Sequence, residues 1–252
     1  MNSAHLNNSI NSKNRLIDLS WRGADYESIR EQRLHARAAL ARAGTLDFKP
    51  ISSAKWVDIT ERHGRIRVQI EHDTIRGVTP AMMRWWFENL SETTTWNGVD
   101  FSGPEISFYH LWHHRDHIAV TPLTSSSEVS NRGFQVGQKS RIEEQFNDYN
   151  DCINHTMLTT RLDDEEFTFE VQLFGMNTGR IIHRYHEEKG GLRFYAETEI
   201  AMQIPVLGNV LNRTIRPFLY TKQSAENWIR HNIEETGRSE DIIPILYAAH
   251  VR

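Results

Sequence analysis

Apolar and polar residues alternate along several parts of the chain, and this pattern predicts β-strands. Residues 66–70, IRVQI, alternate with a period of two, which is typical of a strand with one buried face. His-Gly at 63–64 predicts a hairpin turn directly before them. Between residues 105 and 203, the runs ISFYHLW, FTFEVQLFG, GRIIHRYHEE and LRFYAETEI are rich in β-branched and aromatic residues and are separated by glycines. We therefore predict several antiparallel strands in this part, with residues 105–112 as one of them.

Two helices are predicted in the first third of the chain. Residues 23–43 contain strong helix formers and end before Gly44, which indicates an exposed helix with a possible use in association. Thr79 suits the N-cap of a second helix and Pro80 its first position. The residues that follow, AMMRWWFENL, are too apolar for a surface helix, so this helix is expected to pack against something large.

A long helix is predicted near the C-terminus. Residues 208–235 have a helical pattern with a kink expected at Pro217 and an end expected at Gly237. The order of elements predicts an α+β fold in which a curved antiparallel sheet wraps around this helix and encloses a cavity. Residues 1–50 are interpreted as a partly disordered N-terminal extension with one helix, and residues 51–252 as the main domain.

Composition and charge narrow the possible functions. The chain has 252 residues, a net charge of −4 and a pI of about 6.4, and it lacks the concentrated basic face of a nucleic-acid-binding protein. It has no long apolar segment for a membrane helix, no signal-peptide pattern and one cysteine, Cys152. We therefore expect a cytoplasmic protein with neither nucleic acid nor membrane as a partner, and by base rate a homodimer.

The stretch FYHLWHHRDHI, residues 108–118, is the first candidate for chemistry. It places His110, His113, His114 and His117 within eight positions, next to Asp116. Any single histidine here is best interpreted as a satisfied surface residue. Four of them beside a carboxylate favour metal binding, because neutral imidazole is a common metal ligand and a carboxylate often supports it.

Two further segments offer ligands. His231 and Glu235 are four residues apart in the predicted C-terminal helix, so that both side chains share one face. This spacing alone is a weak signal, because it also occurs on solvated helix faces. Glu143 and Glu144 are adjacent in a predicted strand, so that only one of them faces the cavity. Glu144 is favoured because its neighbours on the same face are apolar, but Glu143 stays open.

These segments together resemble the 2,4-diacetylphloroglucinol hydrolase family, which includes phloretin hydrolase. GVTPAMMRWWFENL, FYHLWHHRDHI, RIEEQF, IIHRYHEEKGG and WIRHNIEE occur in that order, and the resemblance covers roughly residues 54–250. It implies a helix-grip fold similar to Bet v 1 and a zinc-dependent hydrolase that cleaves a carbon–carbon bond between an acyl group and a phloroglucinol-like ring or related β-diketone.

The resemblance also implies a set of site residues, with one zinc ion per chain. The implied metal ligands are His117, Glu144, His231 and Glu235. Tyr109 and His183 are the implied catalytic residues, and His113, Trp86 and Trp228 are expected to bind an aromatic or diketone substrate, although core packing is an alternative for each tryptophan. His114 stands where the family has proline, and the loops at residues 121–135 and 147–156 differ from those of the family. These loops would shape the pocket, so the resemblance does not identify the substrate.

Three alternatives predict different observations. A metal-free ligand-binding module of the same fold predicts no stoichiometric metal. A zinc hydrolase acting on another bond, such as an ester, predicts the metal without turnover of acylphloroglucinols. A structural protein that associates through residues 23–43 leaves the inward-facing carboxylates without a role. Iron or manganese would suit a nitrogen and oxygen ligand set as well as zinc.

Overall fold

Helices flank a large antiparallel sheet in the computed structural model of the protein. The structure describes residues 26–123, 132–146, 151–173, 176–202, 204 and 207–251. The helices are α1 (Tyr26–Arg42), α2 (Pro80–Glu88), α3 (Phe108–Trp112), α4 (Gly208–Thr214), α5 (Arg216–Leu219) and α6 (Lys222–His250). The strands are β1 (Trp56–Arg62), β2 (Arg65–Glu71), β3 (Ile75–Arg76), β4 (Thr93–Thr95), β5 (Glu105–Ser107), β6 (His117–Pro122), β7 (Lys139–Phe146), β8 (Asp151–Leu162), β9 (Glu166–Leu173), β10 (Met176–Glu188) and β11 (Gly191–Ile200).

The sheet curves around the C-terminal helix. Its strand order is β1-β2-β11-β10-β9-β8-β7-β6, with β3 beside β11, and all neighbours are antiparallel. Helix α6 contacts both β2 and β7, which are five strand spacings apart. A flat sheet would separate those strands by about 24 Å, which is more than the width of a helix. The sheet therefore wraps around α6, and the predicted α+β helix-grip architecture is confirmed.

Several local predictions from the sequence are also confirmed. Strands β1 and β2 form a hairpin, and its two turn residues, His63 and Gly64, have φ of 53° and 77°. Two positive φ angles are typical of the tight turn that suits the twist of a hairpin. Thr79 caps α2 by accepting a hydrogen bond from the backbone N–H of Met82, and Pro80 occupies the first turn.

The prediction of a strand over residues 105–112 is wrong beyond Ser107. The Ser107 side chain accepts a hydrogen bond from the backbone N–H of Tyr109 and caps the short helix α3. All five residues of α3 are buried. Residues 108–112 are apolar or aromatic at nearly every position because the short helix is buried on every side. Such a run has no hydrophobic periodicity, so the sequence pattern alone cannot distinguish a helix from a strand.

The C-terminal helix also differs from its prediction. It continues through Gly237 to His250, because at Gly237 the helix packs closely against Lys49, whose Cγ and Cδ would lie 2.9 Å from an added Cβ. The glycine permits close contact and does not end the helix. At Pro217, where a kink was predicted, the helix is fully broken. Two short helices, α4 and α5, come first, and α6 then begins with its own N-cap at Thr221.

Helix α1 is more buried than expected. Ala36, Ala39 and Leu40 are at most 2% exposed, and the helix contacts α3 and β5. One face of this helix is thus covered by the chain itself, and its use in association stays a prediction. Residues 1–25 lie outside the described residues, and the division of the chain at residue 50 stays a prediction. None of the described helices is long and apolar enough to cross a membrane.

Candidate metal centre

The four side chains predicted as metal ligands lie together between the sheet and α6. His117 and Glu144 are direct partners in the β6–β7 register, and His231 and Glu235 lie one turn apart on α6. Oε2 of Glu235 is 3.3 Å from Nε2 of His117 and 3.6 Å from Nε2 of His231. Oε1 of Glu144 is 3.8 and 4.0 Å from the same two nitrogens. The strand register and the helical spacing therefore direct four ligand atoms to one place.

Hydrogen bonds behind the two histidine rings fix which nitrogen faces this place. Nδ1 of His117 lies 2.6 Å from the Tyr109 carbonyl oxygen, and Nδ1 of His231 lies 3.1 Å from Oδ2 of Asp116. Both partners are acceptors, so each Nδ1 carries a proton and donates it. In a neutral ring, Nε2 then presents its lone pair, which is the arrangement that metal-binding histidines usually have.

The carboxylates accept hydrogen bonds from Tyr109 and Asn232, but one inward-facing nitrogen is left unsatisfied by any described residue. Nε2 of His117 is buried and has no hydrogen-bond partner among the described residues. Lone pairs of imidazole and two carboxylates would repel one another at these distances unless a proton or a metal cation lay between them. His117, His231 and Glu235 offer ligand atoms within 4.8 Å of one another. These residues could hold a divalent metal ion, and the nitrogen and oxygen donors fit zinc without selecting it over iron or manganese.

His231 and Glu235 each stabilise the charged form of the other. Burial alone would lower the pKa of His231, but Glu235 and the hydrogen bond to Asp116 raise it well above its ordinary value. Burial likewise would raise the pKa of Glu235, whereas His231 and His117 hold it well below its usual range. Glu235 is therefore ionised at neutral pH and available as an anionic ligand.

The choice between the two adjacent glutamates follows from the faces of β7. Glu144 lines the cavity described below, and its Oε1 accepts a hydrogen bond from the Tyr109 hydroxyl at 2.6 Å. Glu143 points away, with Oε1 3.4 Å from a guanidinium nitrogen of Arg141. Because adjacent strand residues face opposite sides, only Glu144 is brought to the two histidines.

Tyr109 lies next to the candidate metal ligands. Its ring stacks on His117 with centroids 3.7 Å apart, and its hydroxyl donates to Glu144. Burial and the nearby carboxylate of Glu144 raise the pKa of Tyr109 well above its ordinary value of 10.0. The hydroxyl is thus protonated at neutral pH and can donate a proton or a hydrogen bond at the site.

His113, predicted to bind substrate, belongs instead to a layer behind the site. Its Nδ1 accepts the backbone N–H of Asp116 at 2.9 Å, so that Nε2 carries the proton and donates to Glu234 at 3.1 Å. Arg115 forms ion pairs with both Asp116 and Glu234. His113, Asp116 and His231 also have the spacing of a metal site, but their facing atoms are already engaged in hydrogen bonds. We interpret this group as the support of His231.

A cavity of about 250 Å³ adjoins the candidate metal site. Tyr109, Glu144, His231 and Glu235 form part of its wall, and most of the remaining wall is apolar. The aromatic residues that line it are Phe87, Trp112, Phe134, Phe146, Phe167, Phe169, Tyr220 and Trp228. An apolar cavity with a few converging polar groups is the usual form of a small-molecule site.

The residues predicted around the substrate divide into two groups. His183 and Trp228 line the cavity, whereas Trp86 does not. Trp86 is fully buried and stacks on Phe108 with centroids 5.2 Å apart. Helix α2 turns the neighbouring Phe87 toward the cavity, because consecutive helical residues point about 100° apart. The substrate role expected for Trp86 therefore does not fit the geometry, and core packing explains it.

Several residues around the site were not predicted from the sequence. Arg33 of α1 donates to the backbone carbonyls of His114 and Arg115, at 2.9 Å to the first. Phe48 stacks on His113 with centroids 4.4 Å apart. These contacts span 65 or more positions, and no local pattern marks them. Glu234 did have a signal, since it directly precedes the candidate ligand Glu235.

Replacing Asp116 tests the support of His231. In Asp116→Asn, the amide is nearly isosteric but loses the charge that holds the proton on Nδ1 of His231. We expect zinc affinity, measured by competition with a chromophoric chelator, to fall by about 10- to 100-fold. Asp163→Asn, in an exposed carboxylate distant in sequence, is the control. Unchanged zinc affinity in Asp116→Asn would contradict the role given to Asp116.

Buried neutral histidines predict a loss of stability in mild acid. Burial lowers the pKa of His72 and His110 to about 3 and that of His183 to about 4. The unfolded chain binds protons at these residues near pH 6.5 and the folded chain does not, so stability falls as the pH falls. His231 acts in the opposite direction because its pKa is raised, but it is outnumbered.

We expect the free energy of unfolding of the metal-free protein to fall by at least about 2 kcal/mol between pH 7 and pH 5, since one such histidine contributes up to about 1.4 kcal/mol per pH unit. Urea denaturation in the presence of a chelator measures it. Equal or greater stability at pH 5 would contradict the burial of these rings in a neutral state.

Comparisons with known proteins give a likeness of fold only. No protein-family model and no curated protein matches the chain. Similar solved structures include protein Ms6760 from Mycobacterium smegmatis, at 11% identity over 78% of this chain and 99% of that one, with a TM-score of 0.39. SA2116 from Staphylococcus aureus, of unknown function, is 13% identical over 73% of this chain and 96% of that one, with a TM-score of 0.36.

A further similar structure is the di-domain ARO/CYC protein BexL from the BE-7585A biosynthetic pathway. It is 10% identical over 72% of this chain, with a TM-score of 0.38, and the match covers 50% of BexL. Similarity at this level does not indicate a reaction or a ligand. The chemistry of this protein therefore has to be inferred from its own site.

Proposed function

We propose that the protein is a metal-dependent hydrolase that cleaves the carbon–carbon bond between an acyl group and a phloroglucinol-like ring, or the equivalent bond of a related β-diketone. One observation supports this most directly. Two buried imidazole nitrogens and two carboxylates converge at the wall of a largely apolar cavity. A donor set without thiolates that opens on a cavity suits a catalytic ion better than a structural one.

His117, Glu144, His231 and Glu235 would hold the ion, with zinc as the first candidate and about one ion per chain. When bound, such an ion supplies Lewis-acid polarisation of a carbonyl oxygen and makes water a stronger acid. Two anionic carboxylates and two neutral imidazoles balance the charge of a divalent cation, so the buried site carries no net charge. The residues of the chain then have to bind the ring, exclude water from it and supply protons.

The proposed reaction adds water across the bond between the acyl carbon and the ring carbon. The ring takes a keto form, which makes the substrate a β-dicarbonyl. The oxygen of water bonds to the acyl carbon, the carbon–carbon bond breaks, and its electron pair goes to the ring as an enolate. A proton returns to the ring carbon, giving a carboxylic acid and a deacylated ring. The aromatic walls of the cavity suit the ring of the substrate and also the deacylated ring of the product.

Tyr109 is suited to the proton transfer. Its hydroxyl is 2.6 Å from Oε1 of Glu144 and carries a proton at neutral pH, since the pKa of a tyrosine lies well above 7 and burial raises it further. A donor next to the candidate metal ligands is in place to protonate the departing carbon or to stabilise the developing enolate oxygen. The stacking of its ring on His117 keeps the hydroxyl in position.

His183 is suited to hold an oxygen of the substrate. Its ring lines the cavity, and its Nδ1 is buried with no hydrogen-bond partner among the described residues. Burial lowers its pKa to about 4, so the ring is neutral at pH 7. A neutral imidazole with an unsatisfied nitrogen can hydrogen-bond a phenolic hydroxyl without adding charge to an apolar wall.

One other function is favoured by a specific observation. The aromatic lining would also suit a binding module that holds an apolar ligand without turning it over. That function leaves the unpartnered Nε2 of His117, and the two carboxylates that converge on it, unexplained. A hydrolase acting on an ester would use the same metal site, so only the choice of substrate separates it from the proposed reaction.

The test combines metal analysis with a substrate panel. The purified protein is analysed for metals by mass spectrometry. It is then incubated with acylphloroglucinols, β-diketones and aryl esters, and the products are identified by liquid chromatography. We expect about one ion per chain and release of a carboxylic acid from the carbon-acylated ring. If the protein binds metal but hydrolyses only the esters, it is an esterase and the proposed cleavage of a carbon–carbon bond is wrong. If the protein binds no metal even after zinc is added, the hydrolase proposal is wrong and the ligand-binding module is the remaining function.

A further inference from the structure

Helices α4 and α5 expose a row of apolar side chains, which we call the rim segment, residues 207–219. Phe218 is 86% exposed, which is costly for an aromatic residue that faces only water. The large apolar residues exposed along this segment are Leu207, Val210, Ile215, Phe218 and Leu219. Clustering within 13 positions distinguishes them from singly exposed apolar residues elsewhere, such as Val136.

The rim segment lies at the edge of the cavity. Arg216, Leu219 and Tyr220 are part of the cavity wall. Leu219 is also 57% exposed, so its side chain joins the cavity lining to the outer surface. A ligand entering beside Leu219 would therefore pass along the exposed apolar residues of the rim segment.

A groove beside α4 concentrates positive charge. The arginines that line it are Arg62, Arg65, Arg67, Arg180 and Arg213. Glu199 pairs with Arg65 and Arg180, and Glu197 pairs with Arg67. Arg62 and Arg213 form no ion pair with any carboxylate in the part of the chain that the structure describes. The groove thus carries an excess of positive charge, although the whole chain has a net charge of −4.

The apolar segment and the basic groove are held together as one surface. The turn of the β1–β2 hairpin packs against α4 so closely that a Cβ at Gly64 would lie 2.5 Å from the backbone of Asn212. Arg216 donates to the Gly64 carbonyl at 2.7 Å and pairs with Glu61. On α4, Arg213 faces the groove and Val210 faces solvent. The helix therefore has a buried side, a basic side and an exposed apolar side, which is typical of interfacial helices.

We propose that this surface docks on an anionic lipid bilayer, with Phe218 and its apolar neighbours among the acyl chains and the arginines at the level of the phosphates. Apolar side chains and cations side by side are complementary to such a surface. Two copies that met through this face would bring two arginine-lined grooves close together, and the repulsion of like charges disfavours this face for the predicted homodimer. Docking would bring the cavity edge to the membrane, from which an apolar ligand could enter.

This inference does not depend on the metal chemistry. The absence of an apolar segment long enough to span a bilayer led us to expect no membrane partner, but peripheral docking requires no such segment. Failure of metal binding would leave it intact, and failure of membrane docking would leave the proposed hydrolase intact.

Cosedimentation of the full chain with lipid vesicles tests the proposal. We expect binding to vesicles of phosphatidylcholine mixed with phosphatidylglycerol, weaker binding to phosphatidylcholine alone, and a decrease with rising salt. Phe218→Ser, and separately the pair Arg62→Glu, Arg213→Glu, should each weaken binding by about tenfold or more. Val99→Ser is the control for the apolar change, because Val99 is 78% exposed. Arg30→Glu with Arg42→Glu on α1 is the control for the same change of charge.

Two results would overturn the proposal. One is no binding to either kind of vesicle, or equal loss of binding in the control variants. The other is a dimer, detected by analytical ultracentrifugation, that dissociates in Phe218→Ser while vesicles fail to bind. The second result would assign the rim segment to a contact between two copies of the chain.

Discussion

The double variant His231→Ala, Glu235→Ala is expected to lose its bound metal and its activity while keeping its fold. It removes one imidazole and one carboxylate from the four groups that converge on the site. Loss of outer hydrogen bonds to metal ligands costs about 10- to 100-fold in affinity, so loss of two ligands should cost more than about a hundredfold. Mass spectrometry of the purified variant, with equilibrium dialysis against zinc, measures the loss.

A matched pair on the same helix provides the control. Lys222 and Glu226 also lie four residues apart on α6, but both are solvent-exposed. Lys222→Ala, Glu226→Ala should therefore keep about one metal ion per chain, because an exposed pair contributes little. Circular dichroism of both variants checks that the helix remains. A double variant of His231 and Glu235 that binds metal as tightly as the control would show that the ion is held elsewhere.

The local parts of this site follow from the sequence, and the long-range parts do not. His231 and Glu235 share a face because helical spacing dictates it, and a strong helical pattern surrounds them. Periodicity alone could not place His117 opposite Glu144, since that register depends on the β6–β7 pairing. The resemblance to a hydrolase family supplied that pair, and the geometry brings the two side chains together.

Burial on all sides explains where the sequence was misleading. Residues 108–112 show no hydrophobic periodicity because every residue of α3 is buried. The N-cap at Ser107 favours a helix over a strand. Gly237 resembles a helix end, yet it marks close packing against Lys49, a residue 188 positions earlier in the chain. Trp86 and Phe87 are equally apolar in sequence, and only the orientation of α2 determines that Phe87 reaches the cavity.

The contribution of α1 to the site could not have been predicted from local patterns. Arg33 is 81 positions from His114, and its guanidinium holds two carbonyls of the loop that leads into His117. Phe48, which follows α1, stacks on His113. The segment from α1 to Phe48 thus stabilises the layer of residues behind the candidate metal ligands. Its role is structural, since it supplies none of those ligands.

Tyr109→Phe is expected to separate chemistry from metal binding. The variant keeps the ring that stacks on His117 at 3.7 Å and loses the hydroxyl that donates to Glu144 at 2.6 Å. If the Tyr109 hydroxyl supplies the proton to the departing ring carbon, kcat should fall by about a hundredfold or more, as is typical for loss of a general acid. Zinc content should stay near that of the unaltered protein, because all four candidate ligands remain.

Tyr185→Phe is the matched control for this loss. Tyr185 is also buried and donates its hydroxyl to a backbone carbonyl, that of Asp163, at 2.6 Å, but it does not line the cavity. Its removal should lower stability by about 1 kcal/mol and leave kcat unchanged. Steady-state kinetics on an acylphloroglucinol distinguishes the roles, since loss of a proton donor lowers kcat with little change in KM. Equal kcat in Tyr109→Phe and Tyr185→Phe would remove Tyr109 from the mechanism and leave water as the proton source.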